Sequence, residues 1–333
     1  MFSYTNKKIG MKISKENVPN KKRRFWMLFF SLTIIFVFAG ILISAYKNRN
    51  HPSPFEKRVI QSLSFANFPF MERQSFFFPE SIDPEKKNRT GETEAEVILE
   101  EASSMGKSKS GDWWLNSGGV MLSDGEEFST NMGALGENSS WRKLYAKNNS
   151  RDTNGGHFPQ NIFRLVTRNK WKNFSQSVYF NIDKINMSES KNRNESNGVL
   201  LFNRYQDGDN LYYIGLRVDG DAVIKKKIAD KYSTLAEKEI FSAGSVYDKD
   251  NSPNLIPENT WIGIKSEVKN ADNDSVSLKL YVDKELTGDW QLVLETKDKG
   301  DKHGSAPFFN KGYAGIRTDF MDVKFENYSI QRL

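Results

Sequence analysis

One stretch, residues 198–220 (GVLLFNRYQDGDNLYYIGLRVDG), constrains the fold of this chain more than any other. Two apolar limbs flank the turn-forming residues 207–210, and this pattern predicts two antiparallel strands joined by a tight turn. In the second limb, apolar residues at even-numbered positions alternate with an odd-numbered set, which is Tyr213, Gly215, Arg217 and Asp219. A period of two is typical of a strand with one buried face. The odd-numbered set therefore predicts an open sheet face that suits a ligand lying across the sheet.

Strand patterns recur with turn signals between them from residue 111 to the C-terminus. The predicted strands are 119–122, 141–146, 163–168, 175–182, 199–205, 211–219, 222–228, 232–241, 261–268, 276–282, 291–296, 313–318 and 323–330. The alternation is cleanest in 276–282, and no long stretch of this region has a helical period. About a dozen short strands predict an all-β fold, a two-sheet antiparallel sandwich or jelly roll.

Charge and cysteine content exclude several classes of function. The chain has no cysteine, so it can form neither a disulfide framework nor a thiolate metal site. Eight lysines and arginines precede Phe25, against one acidic residue, so the formal net charge of +6 belongs to this N-terminal tail. The rest of the chain is close to neutral, and nucleic-acid binding by that part has no electrostatic support.

The uncharged apolar stretch 25–46 is long enough to cross a bilayer as a helix. The basic tail 1–24 precedes it, and the positive-inside rule then predicts a single-pass membrane protein with a cytoplasmic N-terminus and an extracytoplasmic C-terminal domain. A signal peptide cleaved at Ala45 is the alternative, which leaves open whether the anchor is retained. Residues 47–110 contain several prolines and are predicted to form an irregular stalk, with a short acidic helix within 90–101. An exported domain without cysteine is more typical of bacteria.

A family resemblance covers residues 111–333. The closing run GYAGIRTDFMDVKFENYSI resembles the last two strands of concanavalin A-like lectin and glucanase domains, and TWIGIKSEV with SVSLKLYVD resembles their central strands. The resemblance implies a jelly roll whose concave sheet carries a sugar site. Lectins, carbohydrate-binding modules, laminin-G-like domains, glycoside hydrolases and polysaccharide lyases all share this fold, so the resemblance does not fix the activity.

Extending the alternation to neighbouring strands predicts a basic and aromatic glycan-binding face. Its residues are Arg164, Arg168, Tyr205, Tyr213, Arg217, Lys225, Lys227, Tyr313, Arg317 and Asp319. Sugars pack on aromatic rings and bond planar polar groups, and arginine and lysine would favour an acidic glycan. We expect Gly215, Gly263 and Gly315 to leave room for the ligand. The alternative is an ordinary solvated sheet face with cross-strand charge pairs, such as Arg217 with Asp319.

We expect the domain to be a non-catalytic binding module, with two other functions left open. The paired glutamates of retaining glucanases, Glu-x-Asp-x-x-Glu, do not occur. A polysaccharide lyase would draw on His157, Gln160, Asn161, Arg164, Arg168, Tyr313 and Arg317, although the lyase motifs Arg-x-Glu-Leu-Arg and Gln-Ile-His are absent. Protein–protein adhesion of the laminin-G type would use the rim loops 187–197 and 247–257 instead.

Structural calcium is the cofactor that the sequence suggests. Its ligands would be Asp124, Glu126 and Asp322, or Asp207 and Asp209 in the hairpin. The Asp-Gly-Asp-Asn stretch is also an ordinary turn, and the full EF-hand spacing is missing.

Overall fold

The computed structural model describes residues 95–125, 127–242, 244–272, 274–300 and 305–333. Residues 1–94 lie outside the described residues, and so do the predicted basic tail, the apolar stretch 25–46 and most of the predicted stalk. No helix within the described residues is long and apolar enough to cross a membrane. This finding contradicts the predicted single-pass membrane topology, with its cytoplasmic N-terminus and extracytoplasmic C-terminal domain.

The described residues form fifteen strands in two antiparallel sheets. The strands are β1 (Glu96–Glu100), β2 (Trp113–Ser117), β3 (Val120–Ser123), β4 (Phe128–Thr130), β5 (Ile162–Trp171), β6 (Phe174–Ile185), β7 (Gly198–Asp207), β8 (Asn210–Arg217), β9 (Asp221–Ile228), β10 (Lys231–Glu239), β11 (Ile262–Ala271), β12 (Ser275–Asp283), β13 (Gln291–Asp298), β14 (Gly312–Asp319) and β15 (Met321–Arg332). One sheet has eight strands in the order β1-β3-β4-β15-β6-β11-β12-β13, and the other has seven in the order β10-β9-β8-β7-β14-β5-β2.

This all-β, two-sheet architecture is the predicted one and is consistent with a jelly-roll sandwich. The apolar residues that alternate along the strands meet between the sheets, where they exclude water from one continuous core. In β12 the predicted alternation is present, since Val276, Leu278, Leu280 and Val282 are buried in this core. In β8 the even-numbered Tyr212, Ile214 and Leu216 face the core, as predicted.

Two segments differ from the sequence-based predictions. Residues 141–146 belong to a helix, α1 (Ser140–Asn148), instead of a strand. The Ser139 hydroxyl accepts a hydrogen bond from the backbone N–H of Arg142 and so caps the first turn, and the segment SWRKLYAKN contains no β-branched residue. Within the predicted stalk, Glu96–Glu100 forms β1 instead of a helix and pairs with β3, so the sandwich begins before residue 111.

The three consecutive lysines of β9 show how strictly the sheet separates its two faces. Lys226 points into the core, where its ammonium lies 2.8 Å from a carboxylate oxygen of Asp298, with both side chains fully buried. The same ammonium donates to the carbonyl oxygens of Ser305 and Ala306 at 2.7 and 3.1 Å. Lys225 and Lys227 point to the opposite face, which carries the candidate site.

Candidate functional site

The outer face of the seven-stranded sheet carries a second cluster of buried side chains, separate from the core. At its centre are Phe202 on β7 and Tyr213 on β8, with Leu200, Val166 and Val223 around them. We call this surface the outer face. Because a soluble sheet face that is not covered by another layer is usually polar, a packed aromatic cluster here needs an explanation.

Antiparallel register brings several of the predicted residues together on the outer face. Arg164 on β5 is the direct neighbour of Arg317 on β14, and Arg317 in turn lies opposite Leu200 on β7. On the neighbouring pair of strands, Tyr213 of β8 lies opposite Lys225 of β9. Tyr213 and Arg217 therefore look away from the hydrophobic interior, as the parity of β8 predicts.

Two arginines share one carboxylate at this position. The Nη2 atom of Arg164 lies 3.3 Å from one oxygen of Asp319, and the Nε atom of Arg317 lies 2.7 Å from the other. The group of three therefore carries one net positive charge. Burial, and next the charge of Arg317, lower the pKa of Arg164. Its Nη1 atom is buried without a hydrogen-bond partner among the described residues. An anion bound beside the pair would balance its net charge and favour the charged form of Arg164.

Tyr213 is the ring on which side chains from distant strands converge. The guanidinium carbon of Arg317 lies 5.1 Å from the centre of its ring, and the rings of Phe202 and Tyr232 lie 5.5 and 6.0 Å away. Only 4% of Tyr213 is exposed, whereas Tyr232 on the edge strand β10 is 52% exposed. Burial raises the pKa of Tyr213. Tyr213 therefore forms the floor of the outer face, and Tyr232 stands on its rim.

Phe202 and Tyr232 were not among the residues predicted from the sequence. Extending the alternation from β9 to β10 would have included Tyr232, because this residue pairs with Lys227 across the two strands and so lies on the same face as Lys227. The Lys227 ammonium lies 5.1 Å from the centre of the Tyr232 ring. It also forms ion pairs with the carboxylates of Asp209 and Asp230, at 2.9 and 2.8 Å.

Lys225 is a buried cation on the outer face. Its ammonium donates to the hydroxyl of Ser196 at 3.2 Å. Burial, and next the charges of Arg217 and Arg317, lower its pKa, while Asp219 and Glu237 act in the opposite direction.

Arg217 lies in an acidic part of the outer face. Its guanidinium pairs with the carboxylate of Asp219, and it also contacts Asp221 and Glu237 at 3.3 Å each. The charge pair predicted between Arg217 and Asp319 is therefore not formed. One guanidinium among three carboxylates gives this end an excess of negative charge, opposite in sign to the arginine end.

Three predicted residues lie away from the arginine end. Tyr205 pairs with Tyr313 across β7 and β14, and the ammonium of Lys170 lies 4.9 Å from the centre of the Tyr313 ring. The guanidinium of Arg168 donates to the backbone oxygen of Ser110 at 2.5 Å, near the edge strand β2. These residues extend the outer face without joining the arginine pair.

The predicted role of the glycines is corrected. A Cβ atom on Gly215 would lie 2.3 Å from the carbonyl oxygen of Val199, and one on Gly315 would lie 2.1 Å from that of Leu165. Close approach of neighbouring strands therefore requires these two glycines, instead of room for a ligand. Gly263 lies on β11, which belongs to the eight-stranded sheet.

The predicted calcium ligands are not shown to form one site. Glu126 lies outside the described residues, and the described residues contain no group of three His, Cys, Asp or Glu side chains that could hold a metal ion. Asp322 accepts hydrogen bonds from the side-chain amides of Gln160 and Asn186, at 2.8 and 2.7 Å, and from the backbone N–H of Gly133 at 2.7 Å. These donors already compensate its charge. The calcium site stays a prediction, which chelation and a melting curve would test.

Three of the residues considered for a lyase lie away from the outer face. Gln160 and Asn161 are fully buried, where Gln160 bonds Asp322 and Asn161 donates to the carbonyl oxygen of Asp152 at 2.8 Å. His157 lies in the loop after α1 and packs on Phe158.

The chain matches no protein-family model and no curated protein sequence. Among solved structures it is similar to the carbohydrate-binding module CBM66 from Bacillus subtilis, at 17% identity and a TM-score of 0.36, over 51% of this chain and 81% of that one. It is also similar to the Bacillus licheniformis β-glucanase, at 11% identity and a TM-score of 0.38, over 79% and 100% of the two chains. The GH43 protein BlXynB from Bacillus licheniformis is similar at 14% identity and a TM-score of 0.34, over 62% of this chain and 33% of that one. We assign no function from these likenesses.

Proposed function

We propose that this protein is a glycan-binding module and that its ligand lies across the outer face of the seven-stranded sheet. The observation that carries the proposal is the convergence of Arg317, Phe202 and Tyr232 on the ring of Tyr213, outside the core. A sugar offers apolar C–H faces and a ring of hydroxyl groups, so it is recognised by aromatic rings placed beside planar polar groups. Both kinds of group are fixed in place here.

The site residues of the proposal fall into two sets. The arginine end (Arg164, Arg317 and Asp319) and the aromatic residues Tyr213 and Tyr232 form the central set. Further along the face, the supporting residues are Lys225, Arg217, Tyr205, Tyr313 and Arg168.

Neither Tyr205 nor Tyr213 is suited to act as the base of a lyase on this face. Abstraction of a proton next to a uronate carboxylate needs a base that is deprotonated near neutral pH. Burial raises the pKa of Tyr213 and so holds its hydroxyl in the protonated form. Tyr205 is held in the same form because burial, and next Tyr213, raise its pKa.

The test is a glycan array probed with the full-length protein, followed by calorimetric titration of each ligand that it retains. Two variants change the outer face: Tyr232→Ala removes its exposed ring, and Lys225→Met removes a buried positive charge. The matched control is Tyr281→Ala, because Tyr281 is a half-buried tyrosine on β12 of the other sheet.

We expect both outer-face variants to weaken binding about tenfold or more, since each removes a stacking or charged contact, while the control binds as the parent does. Silence of the parent protein across neutral and acidic glycans would overturn the proposal. If the protein releases unsaturated products from uronate polymers, detected by their absorbance, the proposed function would be wrong and the protein would be a lyase. Equal losses in all three variants would place the ligand elsewhere.

A further inference from the structure

The charges of the outer face are divided between two ends of opposite sign. At the arginine end, Arg164 and Arg317 share Asp319, which leaves one positive charge in excess. At the other end, which we call the acidic end, Asp219, Asp221 and Glu237 surround Arg217, which leaves two negative charges in excess within this group of four. Lys225 lies close enough on the same face for its pKa to respond to these charges. Arg317 lies on β14 and Arg217 on β8, two strands apart, so about 10 Å of sheet separates them.

The arginine end is incomplete as it stands. The side chain of Arg164 is 25% exposed, so a ligand can reach part of it, whereas its Nη1 atom is buried and has no hydrogen-bond partner among the described residues. A guanidinium is planar and offers paired donors that match the two oxygens of a carboxylate. A carboxylate placed here would also balance the unshared positive charge of the pair.

The acidic end repels the same group. A second carboxylate bound two strands further along would face Asp219, Asp221 and Glu237 at once. Burial, and next the charge of Asp219, raise the pKa of Asp221. Sugar hydroxyl groups, by contrast, donate well to carboxylates that are crowded in this way.

From this division we infer that the ligand is a glycan in which a carboxylated sugar is followed by a neutral one, bound in a single direction. The carboxylate lies at the Arg164 and Arg317 guanidinium groups, a sugar ring packs on the exposed ring of Tyr232, and the neutral sugar presents its hydroxyls to the acidic end. The inference rests on the proposed function and specifies the ligand class for the same site.

Three oligosaccharides of equal length distinguish the ligand classes: a neutral one, one of alternating uronate and neutral sugars, and one made of uronate alone. Binding is titrated calorimetrically with the full-length protein at low salt, because exposed charges are screened over about 8 Å at physiological ionic strength. We expect the alternating oligosaccharide to bind best, about tenfold tighter than the neutral one, because one charge-assisted hydrogen bond contributes about that much to affinity.

Two substitutions act on the two ends separately. Arg164→Met should remove the preference for the alternating over the neutral oligosaccharide, and Arg164→Lys should restore part of it. Glu237→Gln should improve the affinity for the all-uronate ligand about threefold relative to that for the alternating one, because one repelling charge is gone. Lys265→Met, which changes a half-buried lysine of the other sheet, is the control and should change nothing.

The outcomes separate the two proposals. If the neutral ligand binds as well as the alternating one and Arg164→Met has no effect, the inference is wrong while the glycan-binding function stands. If the all-uronate ligand binds best in the parent protein, the predicted repulsion is refuted. If none of the three ligands binds and the array is silent as well, the proposed function itself fails.

Discussion

Replacing Lys226 by methionine tests the strand parity on which the whole site depends. Lys226 lies between Lys225 and Lys227 on β9, and alternation places it alone in the core. Its ammonium is paired with Asp298 and bonds two backbone carbonyl oxygens. Methionine preserves most of the side-chain volume, so the substitution removes the charge with little change in packing.

The size of the effect follows from what the substitution leaves behind. Asp298 would stay buried, and the donors left to it within the described residues would be the Tyr212 hydroxyl at 2.7 Å and the backbone N–H of Gly300 at 2.9 Å. Breaking a buried ion pair on one side costs about 3–5 kcal/mol. In a domain of this size, 1 kcal/mol changes the melting temperature by about 2–4 °C, so Lys226→Met should melt roughly 6–20 °C below the parent.

The matched control is the neighbouring substitution Lys227→Met. The ion-pair partners of Lys227, Asp209 and Asp230, are 57% and 78% exposed, so this change should cost no more than about 1 kcal/mol. Free energies of unfolding come from urea titrations of the two variants and the parent. The double variant Lys226→Met with Asp298→Asn should recover part of the loss, because the uncompensated carboxylate is gone. Equal losses for the two single variants would refute the assigned faces of β9, and with them the outer-face site.

Three further changes have expected outcomes. Gly215→Ala should lower the free energy of unfolding by about 1–3 kcal/mol in a urea titration, because the new methyl group meets backbone atoms of Val199 and the strands must separate; an unchanged midpoint would contradict this. Asp322→Ala leaves three N–H donors without their acceptor and should cost about 2–4 kcal/mol by the same assay, whereas a metal role would make that loss depend on calcium. Affinity for a carboxylated glycan should start to fall at a pH below the usual lysine pKa of about 10.4, because burial and neighbouring charges lower the pKa of Lys225. Lys225→Met should flatten this pH profile of affinity. A profile that the substitution leaves unchanged would remove Lys225 from the site.

Strand positions and strand faces were accessible to sequence reasoning because both depend on local, period-two patterns. The buried set of β12 and the two faces of β8 follow directly from alternation. α1 was mistaken for a strand because its helical signal lies in the Ser139 cap instead of in an apolar period. β1 was missed because it is a short edge strand of five residues, and the glutamates at both of its ends continue an acidic stretch that favoured a helix.

The composition of the site was accessible in part, and its pairing was not. Parity placed Arg164, Tyr213 and Arg317 on one face, but it gave no information on which strands are neighbours. The order β8-β7-β14-β5 decides that Arg317 meets Arg164, and that Arg217 turns to Asp219 instead of Asp319. Pairing of this kind depends on contacts between distant parts of the chain, which a single sequence does not encode locally.

Burial on the outer face changes which residues can confer specificity. Tyr213 is almost fully covered, and the Arg317 side chain is 13% exposed and held between Asp319 and the Tyr213 ring. Such side chains lose little freedom on binding, so they act as a preorganised floor that lowers the entropic cost of recognition. Direct contact then falls to the more exposed groups, above all Tyr232 and the exposed part of the Arg164 side chain. A homologous sandwich that kept the floor and changed only these two positions would therefore keep its stability and change its ligand.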